Sequence, residues 1–265
     1  MNRWASPILG TSAGDFLASI RSEIPVALIA TPRAGFKTQI KSAWKRIHSD
    51  PNLADFDQIP LTDTKENLIE AVFVRGTGLV ELREDMFMAS DAPLISFLET
   101  ADQQRFRLLV KDGSVSGMAT LSDVQKLPVY SVLFSIVLAV EMLLMDWIRK
   151  ACGTNEHAWL DHLHSGQRGT IEKHWNEALK KNLAIDRLSC ASFGHEIRAA
   201  AGLGLFSGND ERHRSIKELE VLRNQICHAT EFALVFEHAL KIPRHVREAQ
   251  FGATWLQAQI ERLST

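Results

Sequence analysis

The chain has 265 residues, 45% of them apolar and 23% charged, with a formal net charge of −2. That length holds one large domain or two small ones, each with its own core, and the composition excludes a disordered or fibrous chain. The near-neutral balance also excludes a global basic field for nucleic acid, so any such contact has to come from local clusters.

The N-terminal half changes period repeatedly. Residues 26–30 read as a strand. Residues 36–47 read as a helix with Ile40, Ala43, Trp44 and Ile47 on one face. Residues 56–61 and 68–74 read as strands joined by a polar turn. The order then recurs: a short strand at 86–89, a helix at 92–101, and strands at 106–111 and 114–119. Asp112-Gly113 between the last two is a hairpin signal. Residues from Leu121 to Pro128 read as helical. Neither copy of such a repeat can bury its sheet face alone, so the pair is expected to pack into one α+β module.

Within the second copy the run Val115-Ser116-Gly117-Met118-Ala119-Thr120-Leu121-Ser122-Asp123 resembles the CBS domain. The resemblance is good over residues 86–128 and weaker over 26–76. It implies a tandem pair that binds an adenine nucleotide as a regulatory ligand. In that family's Gly-x-x-Thr-x-x-Asp pattern, Thr120 falls near the phosphate or ribose and Asp123 on the ribose hydroxyls. The upstream copy departs from it, with Val74, Arg75, Gly76 and Thr77 in the matching stretch, which implies one well-formed site. Thr120 and Asp123 also spell a capping box, which needs no ligand.

Pro128 is a natural boundary, dividing an N-terminal part, residues 1–128, from a C-terminal part, residues 129–265. Beyond it every segment reads as helical: 130–152, 170–183, 185–201, 215–240 and 246–263. Four to five antiparallel helices make a bundle. Residues 127–140 carry no charge, but Glu141 and Asp146 interrupt the apolar run and Arg149 and Lys150 follow. A membrane span needs ~20 apolar residues, so the segment reads as a core helix, with a span as the alternative. His157, Asp161, His162 and His164 cluster in a connection without zinc-ligand spacing. Cys152, Cys190 and Cys227 show neither metal spacing nor a disulfide framework, which fits a reducing cytosol. With no apolar signal core after Arg3, a cytoplasmic protein is expected. Basic residues gather at Arg168, Lys173, Lys180 and Lys181, and again at Arg212, Arg214, Lys217 and Arg223. The second group is interleaved with Asp210, Glu211, Glu218 and Glu220.

The most telling stretch is 219–229, Leu-Glu-Val-Leu-Arg-Asn-Gln-Ile-Cys-His-Ala. Ile216, Leu219, Leu222 and Ile226 form one apolar helix face. Asn224 and His228 share another, flanked by Arg223. A guanidinium binds phosphate through a planar fork, and an imidazole moves protons near neutral pH. Cys227 and His228 point about 100° apart, which argues against a Cys–His nucleophilic pair.

Arg223-Asn224-x-x-x-His228 resembles the active-site motif of the HEPN superfamily, all-α domains that include metal-independent ribonucleases. The resemblance implies a C2 homodimer in which two motifs meet, with no metal or other cofactor for catalysis. His228 would transfer a proton with the attacking ribose 2′-hydroxyl, Arg223 would stabilise the phosphate charge, and Asn224 would orient one of these groups. An acidic residue on the first long helix assists the motif in such domains; Glu141 is the candidate and Asp146 the second. The expected fold is thus an α+β CBS-like module followed by an all-α HEPN-like bundle. The expected protein is a nucleotide-regulated endoribonuclease, a toxin or defence effector, with RNA, nucleotide and a second copy as partners and no membrane. The alternatives at the same residues are a solvated helix face at Arg223-Asn224, a packed histidine, and Glu141 at a helix rim. In that case the bundle is a non-catalytic dimerisation or nucleotide-binding module.

Overall fold

A computed structural model of the chain describes residues 24–63, 68–183, 185–227 and 236–264. They form a mixed α+β structure whose two small sheets lie in the N-terminal half and whose long helices lie in the C-terminal half. They divide into two compact units between Val129 and Tyr130.

The first unit holds eight strands: β1 Thr31–Pro32, β2 Gln39–Ile40, β3 Gln58–Thr62, β4 Ile69–Val74, β5 Gly78–Glu81, β6 Phe87–Ala89, β7 Phe106–Lys111 and β8 Ser114–Thr120. They form two four-stranded sheets, in the orders β2-β3-β4-β5 and β1-β8-β7-β6. Each is built on the same plan. A short strand pairs in parallel with the next strand across a helical connection, and that strand turns back antiparallel. The connection is a nine-residue 3-10 helix, Lys41–Ser49, in one copy and helix α1, Leu94–Thr100, in the other. Val72, Val74 and Val80 of one sheet join Phe106, Leu108 and Met118 of the other in one apolar cluster. The opposite face of the first sheet buries Ile59, Leu61, Ala71 and Phe73 against Ile47 and Leu53. The two sheets thus cover one another on one face each, as a half-buried repeat requires.

In this unit β5 adds a strand the sequence reading lacked, and two of the expected elements differ. Residues 26–30 are not a strand: Val26–Leu28 is a 3-10 turn, and Val26 and Ile29 are both fully buried. Burial at a spacing of three is the period of a turn, not the period of two of a strand. The helix expected from Phe36 begins only at Lys41, because Gln39–Ile40 is drawn into the sheet beside β3.

The second unit is helical. Helix α2, Leu127–Cys152, begins before the boundary. Pro128 sits in its first turn, where a missing N–H costs nothing. Then come α3 Ser165–Lys180, α4 Phe193–Gly202, α5 Asp210–Cys227 and α6 Phe236–Arg262. Among the described residues α2 is the one helix long and apolar enough to cross a membrane. More than half of its most apolar window is buried inside the protein, including Ile136, Val140, Leu144 and Ile148. That is the behaviour of a core helix.

The helix expected over 185–201 is broken. Leu188–Cys190 is a 3-10 turn, and α4 starts afresh behind Ser192, whose hydroxyl accepts from the His195 N–H at 3.4 Å. The expected break before Val246 does not occur, since α6 runs through Pro243. Helices α5 and α6 run antiparallel. Arg212 and Ser215 meet Glu248, while Glu218, further along α5, meets Arg244, earlier along α6.

Candidate functional site

Arg223 and Asn224 lie in the last turn and a half of α5. Its apolar face is the one the spacing indicated: Ile216, Leu219, Leu222 and Ile226 are all buried. Packing that face fixes the rotation of the helix, leaving Asn224 exposed and Arg223 half-buried. His228 lies outside the described residues.

Arg223 turns inward toward α2. Its Nε lies 3.9 Å from Oε2 of Glu141, whose side chain is 12% exposed against 35% for Arg223. Burial pushes the Glu141 carboxyl above the usual range, and the Arg223 charge opposes that rise. The structure therefore brings together two of the residues singled out from sequence. Asp146, the second candidate, is engaged elsewhere, 3.1 Å from Arg149. Burial raises its carboxyl too, against the pull of Arg149.

A residue that the sequence reading did not single out completes the group. Glu196 on α4 is 1% exposed, yet its Oε2 has no hydrogen-bond partner among the described residues. The Nε of Arg223 is likewise buried without one. Burial drives the Glu196 carboxyl well above its ordinary range. Glu141 and Asp186 repel its charge, while Arg149 and Arg223 favour it. Arg149 is itself nearly buried and also pairs with Asp186 at 3.0 Å. Three carboxylates and two guanidiniums thus converge from α2, α4, α5 and the segment before α4. Charges this far from water are retained only with partners. Burial and the nearby carboxylates both favour the protonated form of Glu196, and the two arginines oppose them. The signal for Glu196 was present: it lies three residues beyond Phe193 and next to Ile197, on the buried face of α4.

The stripe His213, Lys217, Glu220 and Asn224 runs along another face of α5 at helical spacing. Its first three members line a cavity of about 620 Å³, together with Ser192, His195 and Arg198 of the α4 segment. Of the basic residues grouped in sequence, Arg212 is committed to Glu248 and stacks on Phe251, and Arg223 faces Glu141. Lys217 opens on the cavity.

In the first unit Thr120 and Asp123 form a local clasp. The Asp123 carboxylate accepts from the Thr120 backbone N–H at 2.6 Å and its hydroxyl at 2.9 Å, and the Lys126 ammonium lies 2.6 Å away. Asp123 is buried. Its oxygens are occupied by a helix start and a lysine, so a ligand at this position has to displace Lys126. Among the described residues no group of three or more histidine, cysteine or acidic side chains is placed to hold a metal ion. No family model, no curated protein and no solved structure matches the chain.

Proposed function

We propose that the C-terminal unit is an endoribonuclease of the HEPN type, acting as a homodimer in the cytoplasm under control of an adenine nucleotide bound by a CBS-like N-terminal unit. The observation that carries this reading is the meeting of Arg223 with the buried Glu141 at 3.9 Å, beside an exposed Asn224. An apolar bundle has no packing reason to draw an arginine and two glutamates inward, and buried ionisable groups with shifted titration mark functional sites.

In the reaction proposed, the ribose 2′-hydroxyl attacks the adjacent phosphorus and gives its proton to a base. The bond to the 5′-oxygen breaks, and that oxygen takes up a proton. The products are a 2′,3′-cyclic phosphate and a free 5′-hydroxyl. His228 exchanges the protons, Arg223 meets the charge on the phosphoryl oxygens, and Asn224 orients the phosphate or a partner side chain. Glu141 holds Arg223 in place. One copy supplies few groups, so two motifs across a C2 axis are expected to form the working site. In the first unit a nucleotide ribose would replace Lys126 on Asp123, with Thr120 beside it.

A second reading has its own observation. The same Glu141–Arg223 pair meets the arginine's charge from within the chain, as a structural ion pair does. On that reading the bundle is a dimerisation or nucleotide-binding module without catalysis. Purified full-length protein incubated with mixed RNA, with and without EDTA, separates the two. Cleavage that persists in EDTA and leaves cyclic phosphate ends supports the nuclease. Intact RNA, or cleavage abolished by EDTA, overturns it. A light-scattering mass of a single chain at working concentration overturns the dimer.

A further inference from the structure

We infer that the groove between α4 and α5 is a subsite for the phosphodiester backbone of single-stranded RNA, leading along α5 to the motif. The choice of RNA as occupant rests on the nuclease reading above. The groove itself rests on its own geometry.

The cavity of about 620 Å³ lies within the size range of sites that hold small ligands or one or two nucleotides of a strand. Its lining is basic on both sides. Arg198 comes from α4 and Lys217 from α5, and both are exposed. Among the described residues neither has a carboxylate within ion-pair distance, whereas Arg149, Arg187, Arg212 and Arg244 all do. One carboxylate, Glu220, shares the lining. It is drawn to the opening turn of α4, where a Cβ on Gly194 would overlap it. An anion at a helix start is favoured by the free N–H groups there. Two basic side chains against that one carboxylate leave the groove net positive in a protein whose formal net charge is −2.

Two imidazoles add switchable donors. His195 is held below its usual range by burial and by Arg198, with Glu220 opposing. His213 is lowered by burial and by Lys217, with Asp210 opposing. Both lose protons more readily than free histidine, first because burial disfavours the charged ring and then because a cation stands beside each; a bound phosphate would oppose both effects. His213 also stacks on Phe206, centroids 4.7 Å apart and planes 14° from parallel, so its ring is fixed. Ser192 and Gln167 supply neutral hydrogen-bonding groups to the same space.

The direction of the groove ties it to the motif. His213, Lys217, Glu220 and Asn224 follow one another at spacings of four, three and four, one row on one helix. A strand lying along that row passes Arg198 and Lys217 and arrives at Asn224. Phosphate contacts of this kind position a strand without reading its bases, so the subsite serves any sequence.

The probe is a fluorescein-labelled single-stranded 2′-O-methyl RNA of about twelve nucleotides, which lacks the attacking hydroxyl and cannot be cut. Anisotropy titrations of the full-length protein compare wild type with Arg198→Glu/Lys217→Glu and with the milder Arg198→Gln/Lys217→Gln. Both positions are exposed, and unchanged thermal melting checks the fold. We expect the charge reversal to weaken binding by at least about tenfold. Losing two phosphate contacts should make the slope of log K against log salt shallower by about 1.4. The neutral pair should fall in between, and wild-type binding should tighten as pH falls and the imidazoles charge. Unchanged affinity and salt slope in both variants, or no binding by the wild type, overturns the subsite. Protein that binds the inert strand but leaves unmodified RNA whole overturns the nuclease reading and keeps the subsite. Protein that cleaves RNA while its double variant binds and cleaves like wild type does the reverse.

Discussion

The two units treat buried polar groups in opposite ways. In the sheet unit they are closed off locally. Asp123 is clasped by Thr120 and Lys126, and the buried Arg107 donates to the carbonyls of Gln104 and Phe106 and the hydroxyl of Thr100. The helical unit leaves several open: Glu196 Oε2, Arg223 Nε, Arg212 Nε and His245 Nδ1 are buried without a hydrogen bond among the described residues, against Arg75 Nε alone in the sheet unit. Buried polar atoms are nearly always satisfied, so the exceptions call for an explanation. Polar groups are satisfied locally in one unit and left partly open in the other, and local rules that fail are expected at functional or strained sites.

The sharpest way to break this comparison is to remove one of the open groups, Arg223, and beside it the motif's histidine. Arg223→Ala should lower RNA cleavage by about 10²–10³-fold, the range for losing one group that stabilises developing oxyanion charge. His228→Ala should cost roughly 10²–10⁴-fold, as a lost proton-transfer group does. Arg223→Ala is not expected to unfold the bundle, since alanine favours helix and Arg223 is only half-buried. Initial rates on a fluorescent RNA, alongside thermal melts, decide it. Full activity in both variants leaves the open polar group without a catalytic use. Early melting of Arg223→Ala would show instead that the Glu141 pair is structural.

Several elements held by nearby residues were readable in the sequence, and those held by distant ones were not. Asp112-Gly113 does form the tight turn between β7 and β8, with φ of 51° and 73° at the two positions, a conformation that aspartate and glycine tolerate. The apolar stripe of α5 was equally plain, because a period of 3.6 needs no tertiary knowledge. The convergence of Glu141, Arg149 and Arg223 around Glu196 was only partly legible. Glu141 stood out inside an apolar run, whereas Glu196 is followed by Arg198 and resembles a helix rim until its helix is placed. Arg149 pairs with Asp186 across 37 positions, a contact no local pattern encodes. The break at Ser192 was missed because its capping role competes with an apolar pattern that continues on both sides. Pro243 misled in the other direction, as a residue that usually ends a helix sits inside one.

A milder change keeps the shape of the polar group and removes only its proton equilibrium. Glu196→Gln replaces a carboxyl whose affinity for protons is raised by burial. A folded-state pKa above the unfolded value gives stability that is complete below the unfolded pKa, about 4.3 for glutamate. That stability is lost as pH rises through the folded pKa, because the unfolded chain ionises first. Glutamine has no such equilibrium. The variant should melt higher than wild type at pH 7 to 8 and converge with it toward pH 4, each kcal/mol moving the midpoint by about 2–4 °C. Melting curves at several pH values read this directly. A variant that melts lower than wild type at every pH would show that the Glu196 charge is itself needed by Arg149 and Arg223, and that the bundle's polar groups are satisfied after all.

The smallest expected change falls in the closed unit. Asp123→Ala removes the acceptor of the Thr120 clasp and leaves Lys126, which is half-exposed, free to hydrate. The loss should be about 0.5–2 kcal/mol, that of a helix cap, because no buried charge is left without a partner. Nucleotide affinity is the more telling readout. If Asp123 takes the ribose hydroxyls, the nucleotide has to evict Lys126, and calorimetry with an adenine nucleotide should find binding in wild type and none in the variant. Lys126→Ala should then bind more tightly than wild type, since the competitor for the carboxylate is gone. Equal affinity in wild type and both variants moves the nucleotide away from Asp123. Absence of binding in all three leaves Thr120 and Asp123 as a cap alone, its polar groups satisfied within the chain.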